Sequence, residues 1–165
     1  MAQNSGVGAE RARYALAACN GSIHTALEFA RSTDRFAFRL RVFEVMESLA
    51  LADDLDILEY AAELLEKAKA PLDLVRQGLD ADLEESREIM AATAIRQIEA
   101  RNKRALSKKT KEVLFETTAL IRSWLRDVLM ICGSSVNLIV NDDRTTALES
   151  AAAKTDAARV VCALV

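Results

Sequence analysis

Nucleophiles, bases, metal ligands and phosphate cradles are scarce in this chain. Its one histidine is His24 and its three cysteines are Cys19, Cys132 and Cys162. A Cys–His nucleophile pair would have to use His24, and Cys19 lies across the Asn20-Gly21 turn from it. An ordinary apolar thiol is the simpler reading of Cys19. Neither C-x-x-C nor H-E-x-x-H occurs, so a zinc site would have to gather ligands from far apart. No G-x-x-x-x-G-K-[ST] run offers backbone N–H groups to phosphates, and no G-x-S-x-G run exposes a serine. The carboxylates Asp53, Asp54, Asp56, Glu84, Glu85 and Glu88 fall on polar helix faces, where solvation accounts for them. The expectation is a chain with no catalytic residues, no metal and no cofactor of its own.

Two clusters stand out. Arg96, Arg101, Lys103, Arg104, Lys108, Lys109 and Lys111 form a basic stretch offset locally only by Glu99 and Glu112. It reads either as a contact for phosphate or an acidic partner, or as a solvated turn between helices. No aromatic residue is interleaved to stack bases. The second cluster is Arg126-Asp127, set inside the most apolar segment. Ionised groups there need partners or they cost several kcal/mol. A hydrogen-bond network to the following loop, with Asn141 serving either group, is one reading. A polar contact at a subunit interface is the other.

Helices must position these groups. One proline and five glycines are too few for a sandwich or barrel. Residues 1–8 read as a flexible start. A helix from about Ala9 to Cys19, with Tyr14, Leu16 and Ala17 as apolar marks, stops at Asn20-Gly21. Ser22 caps a second helix whose apolar face carries Ala26, Leu27 and Phe29. Thr33 or Asp34 caps a third, with a seam at Phe36, Leu40, Phe43, Met46 and Ala50. Asp53-Asp54 opens a fourth, with Leu55, Leu58, Ala62 and Leu65 as its stripe, and Pro71 stops and restarts it. From Leu72 a seam runs through Val75, Leu79, Leu83, Met90, Ala94 and Ile98. Asn102 to Lys109 reads as a turn with Ser107 as N-cap. The helix over about 109–132 carries one stripe at Val113, Leu120, Trp124, Val128 and Ile131. A second holds Leu114, Ile121, Leu125, Leu129 and Cys132, a width that predicts packing on two sides. Gly133 ends it. Leu138, Ile139 and Val140 are expected to plug the core from a loop. Asp142 or Asp143 caps a helix to about Ala153, and Thr155 or Asp156 caps the last.

The chain has 165 residues, 51% hydrophobic and 28% charged, with net charge −3. That length buries roughly 68–70% of the unfolded surface without disulfides or metal. The charge provides no global field for nucleic acid or an anionic membrane. Unpaired, widely spaced cysteines suit the cytoplasm. The expected fold is all-α: a helical bundle beside a short N-terminal hairpin, with residues 34–165 as one body.

Three stretches carry a resemblance. Ile98-Glu-Ala-Arg-Asn-Lys-Arg-Ala-Leu-Ser-Lys-Lys-Thr-Lys-Glu112 is followed by Ser123-Trp-Leu-Arg-Asp-Val-Leu-Met130 and then Val140-Asn-Asp-Asp143. In order and spacing they resemble the delta-prime subunits of bacterial DNA polymerase III clamp loaders. Ala15-Leu-Ala-Ala-Cys-Asn-Gly-Ser-Ile-His-Thr-Ala-Leu27 is similar to the end of the AAA+ lid in clamp-loader subunits. The resemblance implies a C-terminal fragment: residues 1–32 from the lid, and 33–165 as the helical collar that packs with other subunits into a ring. The implied partners are the delta and gamma/tau subunits, with no DNA contact, membrane or small-molecule substrate. Trp124, Arg126, Asp127 and Asn141 become structural or interface residues. Arg101, Lys103, Arg104, Lys108 and Lys109 become a possible basic contact. The resemblance would put the nucleotide-binding domain upstream and leave this portion without catalysis. His24 stands where ATP-hydrolysing relatives carry the sensor-2 arginine after Gly-Ser-x, and a neutral imidazole is a poor substitute for that cation. The alternatives are the collar of a gamma/tau subunit and a stand-alone helical interaction or regulatory domain.

Overall fold

The computed structural model describes residues 8–19 and 21–164. Residues 1–7, most of the stretch expected to be a flexible start, lie outside them, as do Asn20 and Val165. Among the described residues seven α-helices follow in order: α1 Ala9–Ala18, α2 Ile23–Arg31, α3 Thr33–Ser48, α4 Asp54–Arg87, α5 Ala92–Cys132, α6 Thr145–Ala152 and α7 Ala157–Leu164. Short 3-10 turns cover Val136–Leu138 and Asp142–Arg144, and the described residues contain no strand.

Two compact units arise. The first comprises Met1–Ala61 with Glu116–Val165, the second Ala62–Phe115. Neither boundary coincides with residue 32 or makes 34–165 one body: the N-terminal hairpin belongs to the first unit. There Arg11 Nη2 donates to Ser32 O at 3.1 Å.

The first unit has the core. Phe29, Val42, Phe43, Leu120, Trp124, Val128, Leu148 and Val160 are buried, and each large side chain contributes about 1.5–3 kcal/mol. Trp124 packs on Phe43 with ring centroids 5.1 Å apart. Only the Leu120–Trp124–Val128 stripe of α5 is fully buried; Ile121, Leu125, Leu129 and Cys132 are half-covered and Leu114 is exposed. The two-sided packing expected of this helix is therefore not seen. In α3 the seam shifts: Leu40 faces out, while Val42, Phe43, Val45 and the cation Arg39 are buried; Ala50 lies in the exposed turn after the helix.

The second unit holds parts of α4 and α5 folded back on each other. Ala68 and Leu72 are buried, and Asn102 Nδ2 donates to Leu79 O at 3.2 Å. Arg87 bridges Glu84 at 2.6 Å and Glu99 at 3.1 Å. The reversal falls at residues 88–91, inside the seam read as continuous from Leu72 to Ile98. The expected turn at 102–109 is helix. No glycine or proline interrupts 92–132, its Arg, Lys, Ala and Leu are strong helix formers, and Lys109 reaches Glu112 at 3.1 Å. Pro71 lies within α4 rather than ending it, so the helix does without the one N–H that proline lacks. The stripe Leu55, Leu58, Ala62 and Leu65 is exposed, not buried.

Caps follow local chemistry in most places. Asp53 Oδ1 accepts the Leu55 and Asp56 N–H groups while Asp56 Oδ2 accepts Asp53 N–H, a reciprocal cap. Asp156 Oδ1 accepts Arg159 N–H at 2.8 Å. At α3 the cap is Ser32, whose Oγ accepts Arg35 N–H, rather than Thr33 or Asp34. Ser22 stands at the α2 N-cap, but its hydroxyl pairs with Thr25 Oγ1 instead of a backbone N–H.

Candidate functional site

The most densely bonded polar group of the first unit forms where residues 140–144 meet α1, α3 and α5. Its anchor is Asp127, one turn beyond Ser123 on α5 and fully buried. The helix ends at Cys132, and Ser134 takes the left-handed position at φ 55°, a place expected for Gly133. Ser135 N–H returns to Met130 O at 2.8 Å, which turns the chain back along the helix.

The returning segment does not plug the core with apolar side chains. Leu138 is exposed, and Ile139 and Val140 are half-buried. A buried asparagine fills the place. Asn141 N–H and Nδ2 each donate to Asp127 Oδ2 at 2.8 Å, and Val140 N–H donates to the same oxygen at 3.0 Å. Asn141 Nδ2 also donates to Ser123 Oγ at 2.9 Å. Its Oδ1 accepts from Arg39 Nη2 at 2.9 Å, so all its amide polar atoms are satisfied.

Arg39 extends the network. Its fork meets both Asp143 oxygens at 2.8 Å, a bidentate pair. The guanidinium lies over two rings, 4.4 Å from the Tyr14 centroid and 4.5 Å from that of Phe43. Next to it, Tyr14 Oη donates to Asp142 Oδ1 at 2.7 Å and Arg13 donates to both oxygens of Asp142. Hydrogen bonding from these two partners, Tyr14 first, holds the Asp142 carboxyl below its ordinary range. Asp142 and Asp143 therefore do not cap α6 with their side chains; distant arginines claim them.

Arg126 behaves differently from its neighbour. It is part-exposed, donates through Nη2 to Leu138 O at 2.9 Å, and holds Nη1 3.4 Å from Asp127 Oδ1. Arg126 and Asp127 thus tie the same loop from two sides. Trp124, on the same helix, is buried against Phe43.

Every acid and base in this network is engaged by another member. Ser123 Oγ and Asp127 Oδ2 both accept from Asn141 Nδ2, so the arrangement fixes the 140–144 segment against α5. Burial and the nearby Glu116 push the Cys19 thiol up to about 11, which makes it unreactive at neutral pH. His24 is exposed, 3.6 Å from Glu28. Arg101, Lys103, Arg104, Lys108 and Lys109 lie on α5 in the second unit, away from this network in sequence, with Lys108 and Lys109 both reaching Glu112. No group of three or more His, Cys, Asp or Glu among the described residues is arranged to hold a metal ion. No described helix is long and apolar enough to cross a membrane.

Arg39, Arg13, Tyr14 and Ser123 were not legible as site residues. One signal existed for Arg39: it keeps helical step with Phe36 and Phe43, so a cation occupies a seam position. Compared with protein-family models, curated proteins and solved structures, the chain matches none.

Proposed function

We propose that this chain is an assembly module of a bacterial clamp loader, delta-prime-like, which joins delta and gamma/tau subunits during sliding-clamp loading and performs no catalysis itself. One observation carries the reading. The stretches that bear the resemblance act on each other: Asp127 of Ser123-Trp-Leu-Arg-Asp-Val and Asn141 of Val140-Asn-Asp-Asp meet at 2.8 Å. A shared sequence pattern whose parts form one buried contact is better supported than parts scattered over a surface.

Unused apolar surface adds support for assembly. On the first unit Leu55 and Leu58, one turn apart on α4, are 64% and 67% exposed, and Leu51 in the turn before that helix is 85% exposed. On the second, Phe115 is 70% exposed. A chain that works alone has little reason to keep such leucines at helical spacing in water. Asp53, Asp54, Asp56 and Glu59 flank the leucines and keep the surface soluble until a partner covers it.

The test is affinity capture of the 165-residue chain with purified delta and gamma/tau collar domains. Retention by either supports the reading, and Leu55→Glu with Leu58→Glu should abolish it. Capture by neither returns the chain to a stand-alone helical interaction domain. The gamma/tau alternative predicts capture by a delta-prime collar instead.

A further inference from the structure

Between α1, α5 and α7 the surface dips into an open recess of about 340 Å³, lined by Ala17, Ala119, Arg122, Ser123, Arg126 and Leu164. Arg122 and Arg126 are one helical turn apart on α5, a spacing at which like charges repel. Arg126 is partly engaged by Leu138 O and Asp127. Arg122 makes no ion pair among the described residues. The Ser123 hydroxyl accepts from Asn141 and keeps its own proton to give.

Other recesses are charged differently. The one lined by Arg76, Asp80, Glu99 and Lys103 is balanced, and the one lined by Asp82 and Glu85 is acidic. Among the described residues, the α1–α5–α7 recess has two cations, a hydroxyl and no carboxylate in its lining.

We infer that this recess is an anion subsite for the acidic side chain of a partner polypeptide, with an adjacent apolar side chain on Ala17, Ala119 and Leu164. Two guanidinium forks and one hydroxyl match the few acceptor positions of a carboxylate. Guanidinium forks take phosphate as well as carboxylate, and the apolar Ala17, Ala119 and Leu164 beside them favour an acidic side chain with an apolar neighbour over a bare oxyanion. A free amino acid would bring an ammonium group that the lining has no carboxylate to meet. An acidic residue inside a peptide brings none. The inference goes beyond the clamp-loader reading and does not rest on it.

The experiment is a heteronuclear NMR titration of the full chain with acetyl-Leu-Glu-amide. Acetyl-Leu-Gln-amide and inorganic phosphate serve as comparisons. Saturable shifts are expected at the amides of Ala119 to Arg126 and of Leu164, weakened by added salt. The glutamine peptide and Arg122→Glu should each bind at least about ten-fold more weakly. Arg122→Gln should fall between. Arg122 is exposed, so both variants should melt with the wild type. Absence of saturable shifts, equal binding of the glutamine peptide, an unchanged titration in Arg122→Glu, or tighter binding of phosphate would each overturn the assignment.

Discussion

Replacing Asp127 with alanine removes the acceptor on which three donors converge. Its Oδ2 takes Val140 N–H at 3.0 Å and both Asn141 donors at 2.8 Å, in a fully buried position. A hydrogen bond to a charged group contributes about 1.5–3 kcal/mol, and stripping a buried donor of its partner costs about 1–3. The three losses do not add. Asn141 Nδ2 keeps Ser123 Oγ, and the half-buried Val140 N–H can turn to water. The Asn141 N–H is left unpaired, and with it the placement of the amide that Arg39 binds. The expected cost is about 3–5 kcal/mol, the range for breaking a buried charged pair. Roughly 2–4 °C of Tm per kcal/mol for a chain of this size gives a fall of roughly 6–20 °C. Asp127→Asn should lose less, about 1–3 kcal/mol, because its carbonyl can occupy the Oδ2 position. Its NH₂ would then face Arg126 Nη1, which lies 3.4 Å from Oδ1 in the native chain. Lys109→Ala, which trims a part-exposed pair with Glu112, should stay within about 0.5 kcal/mol of wild type. Far-UV circular dichroism melts of the three variants decide the matter. Coincident melts for Asp127→Ala and Lys109→Ala would refute the reasoning. An Asp127→Ala chain that melts like wild type but loses partner binding would move the carboxylate to an interface.

Arg39→Lys should cost about 1–3 kcal/mol in urea unfolding, because one ammonium keeps the charge but cannot hold both Asp143 oxygens and Asn141 Oδ1 as the guanidinium fork does. A loss below about 0.5 kcal/mol would show that the fork is dispensable. Cys162 is exposed and the Cys19 thiol is raised to about 11, so iodoacetamide at neutral pH should label Cys162 first and Cys19 last, read by peptide mass spectrometry. The folded Asp142 carboxyl is depressed, so its contribution is present above the unfolded value and lost as pH falls through the folded one. The gap between wild type and Asp142→Asn, under about 1 kcal/mol for so exposed a pair, should therefore close below about pH 4. A gap that persists there would contradict the pairing with Tyr14 and Arg13.

What the sequence disclosed depended on how local its cause was. The Asp53 and Asp156 caps were legible because a side chain there answers a backbone N–H two or three residues away. The Leu120–Trp124–Val128 stripe was legible because periodicity alone defines it. The 102–109 segment misled because polarity suggested a turn while every residue in it tolerates a helix. Pro71 misled in the opposite way: a long helix absorbed one missing hydrogen bond. Asp142 and Asp143 looked like caps because nothing nearby in sequence competes for them. Their partners, Arg13 and Arg39, lie 129 and 104 residues away. The exposed leucines of α4 look in sequence like any buried stripe, since the pattern shows which face is apolar and not what covers it.

The clamp-loader reading is tested most directly by native mass spectrometry of the 165-residue chain mixed with purified delta and gamma/tau collar domains. The predicted result is a hetero-oligomer that includes this chain and disappears in the Leu55→Glu, Leu58→Glu variant. A chain that stays unbound, or that pairs only with itself while the other collars assemble, would contradict the account.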